Sequence, residues 1–502
     1  MIDKLVEDGT PLAFEYKNAK RAFEAESQFI RNSNRFPLTA RGEINTFSIF
    51  TELSINSINE SGVLGLVVPT GILTYENHKD LVSVIMENNR LISVVGFENE
   101  DFIFSDVANV VRFCLISIGG MKRKNDFTEA IFNLRAIPEK GKIPFYRINY
   151  EQIELINQES KTFPTIKSPK DHEIITNIYS RIPIFINIDY IDKGWNGSVN
   201  VMFNMASNSN LFSVNRKEGS ISLYEAKFFH MYDHRYGSYG FEDLKGKGGR
   251  GLPYTPAEKY ADPNFAVLPR YWIDKFEVDK YKPDYDKSWF LVSRKFGRSV
   301  DERTYISTII PKSGVGDNAQ IIILSERYSA IAYSYILANS NTFVVDYVMR
   351  QKLGAATINY YMIRQLPFIP KSFYNTSLIE FIAPRVLELT YMAHDLSGFA
   401  ADLGYAGQPF TWNDERRFWL RAELDALYFI LYGIARDDVA YIMDTFPIVR
   451  RKDEAAHGGV YRTKEAILSV FDELERLGLE RLGEYGSRVE GGEVAGGWRP
   501  EG

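Results

Sequence analysis

The stretch Gly62-Val-Leu-Gly-Leu-Val-Val-Pro-Thr-Gly71 constrains the fold of this chain more than any other. A short apolar run bounded by turn residues is typical of a strand buried on both faces inside a parallel α/β sheet. Pro69 has no N–H to donate to a neighbouring strand, so it predicts the end of the strand. Thr70 and Gly71 then open a loop at the carboxyl end, where ligands bind in open α/β sheets. We therefore expect the chemistry of the chain at this loop.

The segments on either side of this strand favour a layered α/β arrangement. Apolar residues recur at helical spacing before it, at Phe47, Phe50, Leu53 and Ile58. Residues 77–89 predict a helix after it, and residues 91–97 and 109–118 predict two further strands. This order is half of a doubly wound sheet. The first βαβ unit, which normally carries a glycine-rich cofactor loop, would have to lie before Met1.

A series of short motifs runs through the chain in a fixed order. The first five are Asn45-Thr-Phe-Ser-Ile-Phe50, the Gly62–Gly71 stretch, Phe97-Glu-Asn99, Ile103-Phe104 and Phe113-Cys-Leu115. Later ones are Leu223-Tyr-Glu-Ala-Lys227, Tyr232-Asp-His-Arg235, Asp301-Glu-Arg-Thr304, Ile310-Pro-Lys312, Asp346-Tyr-Val-Met-Arg-Gln-Lys352 and Arg421-Ala-Glu-Leu-Asp-Ala426. Together they resemble the later motifs of adenine-N6 DNA methyltransferases, above all the type IIG restriction–modification enzymes of the gamma motif order. The resemblance extends to about Leu477.

The resemblance implies a fold class and a domain order. The expected fold is α/β, with a partial doubly wound, Rossmann-like methyltransferase sheet over residues 1–125 and a connector over 126–181. A mixed α+β target-recognition domain follows at 182–370, where short aromatic and β-branched runs alternate with turn residues. Residues 371–485 are expected to form a helical region, with amphipathic helices at 384–399, 414–432 and 464–477. The glycine-rich tail, 486–502, is expected to be disordered.

Two motifs that the family uses for catalysis are missing from this sequence. Asn/Asp-Pro-Pro-aromatic does not occur, and the nearest string, Asp262-Pro-Asn-Phe265, has asparagine in place of the second proline. No Gly-x-Gly lies between a predicted strand and helix with an acidic residue downstream. Because the exocyclic amine of adenine is a poor nucleophile, the missing acceptors would have to position and polarise it. We therefore assign no catalytic residue here, and expect S-adenosylmethionine to bind in the complete enzyme, with binding by this chain alone doubtful.

The resemblance also implies a pocket for the target base. A base methylated in duplex DNA must leave the stack and be held by an aromatic face. Phe104 matches the position of that aromatic in the family, and Pro69 and Thr70 would line the same cleft. The alternative from the sequence alone is that Phe104 is a core residue at the entrance of a strand.

Basic residues of the expected recognition domain are the candidates for contact with double-stranded DNA. They are Arg235, Arg294, Arg298, Arg303, Lys312, Arg350 and Lys352. The basic segment Lys245-Gly-Lys-Gly-Gly-Arg250 is a further candidate. Arginine can read guanine in the major groove, but arginines that hold only phosphates are commoner.

Composition narrows the class of protein. The 502 residues carry a formal net charge of −6, with 45% hydrophobic and 25% charged residues, which is ordinary for a soluble globular protein. The single cysteine, Cys114, excludes an internal disulfide and favours the cytoplasm. His230 and His234 stand four residues apart without the Glu of zinc peptidases or a cysteine cluster, so no metal site is predicted.

Three functions remain open at this point. The favoured one is the target-recognition and base-flipping part of an adenine-specific methyltransferase from a restriction–modification or phage-defence system. Its missing half would then belong to a larger enzyme or lie on a separate polypeptide. The second is a non-catalytic DNA-binding specificity subunit, and the third is the inactive remnant of a truncated gene, whose half-sheet would expose apolar edges.

Overall fold

The computed structural model describes residues 10–139, 141–186, 194–241, 252–354 and 356–500. The fold is mixed α/β with open sheets, and contacts divide the chain into unit 1, Met1–Glu173, and unit 2, Ile174–Gly502. The basic segment at 245–250 lies outside the described residues. Among the described residues, no helix is both long and apolar enough to cross a bilayer.

Unit 1 is built on one five-stranded sheet. Its helices are α1 (Pro11–Asn32), α2 (Thr46–Ser57), α3 (Gly71–Thr74), α4 (Lys79–Glu87), α5 (Tyr150–Ile156) and α6 (Pro169–Arg181), the last of which runs across the boundary into unit 2. Its strands are β1 (Val63–Pro69), β2 (Leu91–Phe97), β3 (Phe113–Gly119), β4 (Thr128–Leu134) and β5 (Tyr146–Ile148). The strand order is β1-β3-β2-β4-β5, in which only β2 and β4 run parallel.

The prediction that β1 is a parallel strand buried on both faces is wrong. β1 pairs antiparallel with β3 alone among the described strands, and it lies at the edge of the sheet. Val63 and Val67 are 50% and 55% exposed, because nothing described covers that face. A continuous apolar run does not tell a central strand from an edge strand whose outer neighbour is missing.

The segment predicted as a connector contributes to the sheet of unit 1. β4 pairs parallel with β2, and β5 pairs antiparallel with β4. Val95, Phe97 and Ile131 form a buried cluster between β2 and β4. The contact boundary falls inside α6, later than residue 125 and earlier than the predicted start at 182.

Unit 2 contains two smaller sheets and most of the helices. The strands are β6 (Gly197–Asn200), β7 (Ser220–Tyr224), β8 (Trp272–Asp274), β9 (Trp289–Arg294), β10 (Ser307–Pro311), β11 (Gly314–Val315) and β12 (Ala319–Leu324). They form an antiparallel sheet of order β10-β9-β12-β6 and a mixed sheet of order β11-β7-β8. The helices are α7 (Ala257–Tyr260), α8 (Lys275–Tyr281), α9 (Ala330–Ser340), α10 (Phe343–Lys352), α11 (Tyr360–Arg364), α12 (Thr376–Thr390), α13 (Ser397–Asp402), α14 (Asp414–Leu431), α15 (Arg436–Asp444), α16 (Pro447–Ala456) and α17 (Arg462–Leu477).

α9 and α10 lie in the core of unit 2. Every residue of α10 is buried, and all but one of α9 are. A helix that is buried all round needs neighbours on every side, which the sheet strand β10 and helices α12 and α14 provide. The described helical region predicted at 371–485 is thus continuous with the recognition domain in one unit.

The tail predicted to be disordered is instead placed against α12 and α14. The Nη groups of Arg416 donate to the carbonyls of Glu490 and Glu493, both at 2.8 Å. The backbone N–H of Ala495 donates to Glu388 at 2.7 Å. The glycine-rich composition of the tail predicts disorder. The partners that hold it lie about 70 to 110 residues away in sequence, so the composition of the tail gives no sign of them.

Candidate functional site

The loop after β1 is fixed at the carboxyl end of the strand, as its sequence predicts. Pro69 lies opposite Phe113 of β3 in the register, and the N–H of Thr70 donates to the carbonyl of Arg112 at 3.0 Å. Thr70 is 3% exposed. Pro69, which has no N–H of its own, is the last residue of β1.

A buried histidine, which the sequence gave no reason to single out, ties this loop to α2. His78 Nδ1 lies 2.8 Å from the carbonyl of Gly71, and Nε2 lies 2.7 Å from the hydroxyl of Ser48. Burial lowers the pKa of His78, which favours the neutral ring. The neutral tautomer that fits donates from Nδ1 to Gly71 and accepts from Ser48 at Nε2. The loop that follows Pro69 is therefore held at two points.

Phe104 is presented by a loop that folds around the side chain of Asn99. Asn99 Oδ1 accepts from the N–H of Phe104 at 2.9 Å, and its Nδ2 donates to the carbonyls of Phe104 and Val107, both at 3.0 Å. Asn99 is completely buried, whereas Phe104 is 43% exposed. A ring this exposed is not a core residue, so the structure does not favour the alternative interpretation of Phe104.

Phe113 lies between the two parts of the predicted base pocket. The ring of Phe104 meets it edge-on at 4.8 Å between centroids, and Phe97 stacks on it at 5.1 Å. Pro69 is the residue opposite Phe113 in the neighbouring strand. The structure thus brings Phe104, Pro69 and Thr70 to the same end of the sheet, and their contact with a base stays a prediction.

Glu98 fixes the two ends of the segment that carries Phe104. Its carboxylate is 3.1 Å from Arg112 and 3.1 Å from Arg135, and the residue is 4% exposed. Burial lowers the pKa of Arg112, while Glu98 and Glu100 oppose that shift. Two cations around one buried carboxylate restrain the segment between residues 98 and 112.

Arg235 is a buried residue of unit 2 whose guanidinium donates to four backbone carbonyls. Its Nη1 donates to the carbonyls of Asp262 and Phe265 at 2.8 and 3.2 Å, and its Nη2 to those of Tyr260 and Met392 at 3.3 and 3.1 Å. The side chain has no exposed surface. The prediction that Arg235 contacts DNA is therefore wrong for this conformation, because its donors already hold together distant loops.

Arg303 and Arg350 are likewise buried, around the carboxylate of Asp346. Arg303 Nε lies 2.7 Å from one oxygen of Asp346, and Arg350 Nε lies 3.0 Å from the other. Each guanidinium also donates to backbone carbonyls, Arg303 to Asn341 and Arg350 to Asp301. At 8% and 4% exposure neither can meet DNA here, which corrects the prediction for both.

Lys352 and Arg294 are also engaged within the protein. Lys352 is 7% exposed and places its ammonium 4.8 Å from the ring centroid of Tyr179, so the prediction of DNA contact fails for it too. Arg294 is half-buried and donates through Nε to the carbonyl of Phe229 at 3.1 Å. Burial lowers the pKa of Arg294.

Arg298 and Lys312 keep some access to solvent. Arg298 is exposed and pairs with Asp301 at 2.8 Å, a surface ion pair of the kind that contributes little to stability. Lys312 is half-buried and lies 3.0 Å from Asp279. Of the seven predicted DNA contacts, Arg298 is the one with an exposed head group, and its role stays a prediction.

Neither family models nor curated proteins match this chain. Solved structures that it resembles are restriction–modification enzymes. The type IIL enzyme MmeI in complex with DNA gives a TM-score of 0.44 at 11% identity, over 84% of this chain and 54% of that one. The type IIG endonuclease BpuSI gives 0.26 at 14%, over 82% and 52%, and a nuclease-deletion mutant of the type ISP enzyme LlaGI with a DNA substrate mimic gives 0.36 at 8%, over 74% and 39%.

The chain spans about half the length of MmeI and BpuSI, and less of LlaGI. Every one of these TM-scores is below 0.5 and every identity below 25%. We therefore base no conclusion about fold or activity on these likenesses.

Proposed function

We propose that this chain is the DNA-recognition and base-flipping part of a site-specific adenine-N6 DNA methyltransferase from a restriction–modification or phage-defence system. The observation that carries the proposal is the exposed ring of Phe104, held by Asn99 at the same end of the sheet as Pro69 and Thr70. A polar clamp around an exposed phenylalanine has no role in a hydrophobic core. It suits a residue that must offer one face to a ligand in a fixed orientation.

The role of Phe104 in this function is to hold an extrahelical adenine. Pulling a base out of the stack costs a few kcal/mol, and stacking on an aromatic side chain offsets about 1–3 kcal/mol. The ring of Phe113 packs against the ring of Phe104. This contact restrains the orientation of the exposed Phe104 ring when the base binds. Pro69 and Thr70 would border the same space.

The residues present do not fit S-adenosylmethionine or the catalytic acceptors by themselves. The family's acceptor motif and glycine-rich cofactor loop are absent from the 502 residues. We therefore derive no methyl-transfer step from this chain. S-adenosylmethionine would supply the methyl group in the complete enzyme.

The open edge of β1 supports the existence of a complementary half. β1 has one described neighbour, β3, and its outward face carries the exposed Val63 and Val67 beside Leu115, which is 42% exposed. An unpaired edge with apolar side chains is a template for another strand. We propose that strands of the cofactor-binding half pair there, from another segment or a separate polypeptide.

Methyl transfer by the reconstituted enzyme tests this function. The chain is mixed with the polypeptide encoded immediately upstream, and transfer of labelled methyl from S-adenosylmethionine to adenine in unmethylated DNA is measured. Once the target site is known, 2-aminopurine at that position reports flipping by its rise in fluorescence. The variant Phe104→Ala should lose both signals, and Phe373→Ala, which removes a ring 47% exposed in unit 2, should keep both. Undiminished 2-aminopurine fluorescence with Phe104→Ala would contradict the role of Phe104.

A non-catalytic DNA-binding specificity subunit is the second candidate. The absence of the catalytic motif from the sequence favours it. Calorimetry with S-adenosylmethionine separates the two, for the chain alone and then with the upstream polypeptide. Binding only by the pair supports the methyltransferase, whereas DNA binding without cofactor binding in either sample supports the specificity subunit.

A further inference from the structure

A cleft of about 610 Å³ lies within unit 2. It is lined by residues of the segments 230–236 and 254–261 and by the beginning of α14 with the residues before it. Small-molecule sites occupy about 300–1,000 Å³, so the cleft has the size of a ligand site.

Aromatic side chains form two clusters along this cleft. The ring centroids of His230 and Tyr236 are 4.8 Å apart, and those of Tyr236 and Tyr254 are 4.9 Å apart. In the second cluster, Tyr260 and Trp412 are 4.2 Å apart with an angle of 33° between their planes. Tyr254 is 52% exposed, so much of its surface remains open to a ligand. Rings of this kind stack on any nucleobase, because every base has a π-face.

Arg421 contributes a guanidinium whose outer nitrogens have no acceptor in the part of the chain that the structure describes. Its Nε donates to the carbonyl of Arg417 one turn earlier at 3.2 Å. Asp414 and Asp425 are the carboxylates that raise its pKa, against the larger effect of burial, which lowers it. Burial also raises the pKa of Asp425 to about 7, so that carboxyl is only partly ionised at neutral pH. Arg421 is half-buried and forms no ion pair among the described residues, so its Nη groups can receive an anion.

Cationic side chains surround His230, which lines one part of the cleft. Burial lowers the pKa of His230 well below its ordinary value, and the charges of Arg294, Arg421, Arg303 and Lys452 lower it further. Arg303 and Lys452 are already paired with Asp346 and Glu302, so Arg294 and Arg421 are the two cations that favour an anion here. The acidic residues of the lining are Asp233 and Asp414.

Asp233 is one of these acidic residues, and its carboxylate is already satisfied. It accepts from the hydroxyl of Tyr260 at 2.6 Å and from the N–H of Arg235 at 2.8 Å. Asp414 is exposed and accepts from the indole N–H of Trp412 at 2.8 Å. Neither carboxylate forms an ion pair with Arg421 among the described residues.

We propose that this cleft binds one unpaired nucleotide of a DNA strand, with its base against Tyr236 and Tyr254 and its phosphate on the Nη groups of Arg421. The proposal rests on the proposed function, since it takes DNA as the ligand. A base within a duplex cannot place its face on these rings, so the nucleotide is extrahelical or lies in a single strand. All lining residues of this site belong to unit 2, whereas Phe104 belongs to unit 1.

Fluorescence anisotropy with a labelled thymidine dodecamer tests the site in the full chain. Tyr254→Ala should weaken binding about tenfold through the lost stacking. Arg421→Gln should weaken it by a similar factor and reduce the slope of log affinity against log salt by about 0.7. There are two matched controls. Phe276→Ala removes a ring that is 67% exposed, and Arg436→Gln removes an arginine of α15 that is paired with Asp472 of α17. Both controls should bind as the unaltered chain does.

Three outcomes would contradict the proposed nucleotide site, and each identifies a different error in the proposal. If the chain binds DNA but Tyr254→Ala and Arg421→Gln bind it equally well, the site is wrong and the proposed function stands. If the unaltered chain binds neither single-stranded nor duplex DNA, the proposed function fails as well. If inorganic phosphate competes as well as thymidine 5′-phosphate, the cleft holds an anion only. Since Tyr254 is half exposed, its variant should fold, and unfolding followed by tryptophan fluorescence checks this.

Discussion

The amide of Asn99 and the backbone of Phe104 form a closed pair of hydrogen bonds, one accepted at 2.9 Å and one donated at 3.0 Å. A third bond, from Asn99 to the carbonyl of Val107, extends the clamp over the rest of the loop. Because Asn99 is fully buried, its amide depends on these three bonds and not on water for its hydrogen-bond partners. The orientation of Phe104 therefore depends on a side chain five residues earlier.

Replacing this amide should loosen the loop. Asn99→Ala removes three hydrogen bonds to the backbone of Phe104 and Val107, and each such bond contributes about 0.5–1.5 kcal/mol. Hydrogen exchange followed by mass spectrometry should show faster exchange across residues 99–107. Asn88→Ala, which removes an amide bonded only to the carbonyl of Val84, should leave that segment unchanged. Unaltered exchange in Asn99→Ala would mean that Phe113 alone holds the loop.

The charge of Asp346 should be essential to unit 2. Asp346→Asn leaves Arg303 and Arg350 buried without their shared carboxylate, and breaking a buried pair costs about 3–5 kcal/mol. Unfolding in urea can be followed by tryptophan fluorescence, which reports on unit 2 because all six tryptophans lie there. Asp472→Asn breaks an exposed pair with Arg436 and should give no measurable change.

The sequence predicted local elements well and long-range partners poorly. β2 was predicted at the residues where it occurs, and α14 to within one residue, because both carry a strong apolar pattern and clear end signals. The arginines were misjudged because their partners are distant in sequence. Asp346 is 43 residues from Arg303, and the carbonyl of Met392 is 157 residues from Arg235. Charge in a sequence does not show whether a side chain points outward.

The helix α12 gives a second example of the same limit. Pro384 was expected to begin a helix, since proline suits the first turn. The helix instead begins at Thr376, and Pro384 lies inside it. The N-cap is Asn375, whose side chain accepts from the N–H of Leu378 at 3.0 Å. Surrounding contacts in the core override the local preference.

In the candidate site, the resemblance predicts Phe104, Pro69 and Thr70. The residues that support them, Asn99, Glu98 and His78, are identified only by the structure.

Asp425 should make the stability of unit 2 depend on pH. Burial raises its pKa from 3.8 to about 7, against the opposing effects of Arg303 and of the N–H of Phe343. The folded chain therefore holds this proton more tightly than the unfolded chain does between these two values. The contribution to stability is present below pH 3.8 and is lost as the pH rises toward 7.

Asp425→Asn checks this pH dependence. The asparagine oxygen can still accept from the N–H of Phe343, which is 2.7 Å away in the unaltered chain. Other groups titrate in both proteins, so the difference between their free energies of unfolding isolates Asp425. Relative to the variant, the unaltered chain should lose stability as the pH rises through this window. A constant difference would show that Asp425 is already ionised when folded.

Glu423 should hold the C-terminal segment on α14. Its carboxylate accepts from Ser487 at 2.8 Å, from the N–H of Arg488 at 2.6 Å and from Arg385 at 2.8 Å. Glu423→Gln replaces one of these acceptors by a donor, so the segment should detach. Trypsin should then cleave after Arg488 faster than in the unaltered chain, as mass spectrometry of timed digests would show. Glu484→Gln, which loses only a surface contact with Arg481, should be cleaved at the original rate.

The open edge of β1 should make the chain self-associate when it is alone. Val67 is 55% exposed in a strand with one described neighbour, so a second copy can pair along the same edge. A lysine at this position places a charge on the edge and opposes such pairing without disturbing the buried face. Sedimentation velocity over a range of concentrations should show less association for Val67→Lys. Val214→Lys, a change at a side chain 66% exposed in unit 2, should behave as the unaltered chain. Equal association in all three proteins would mean that the edge of β1 does not mediate self-association. It would also remove the main structural support for a complementary, cofactor-binding half that pairs with β1.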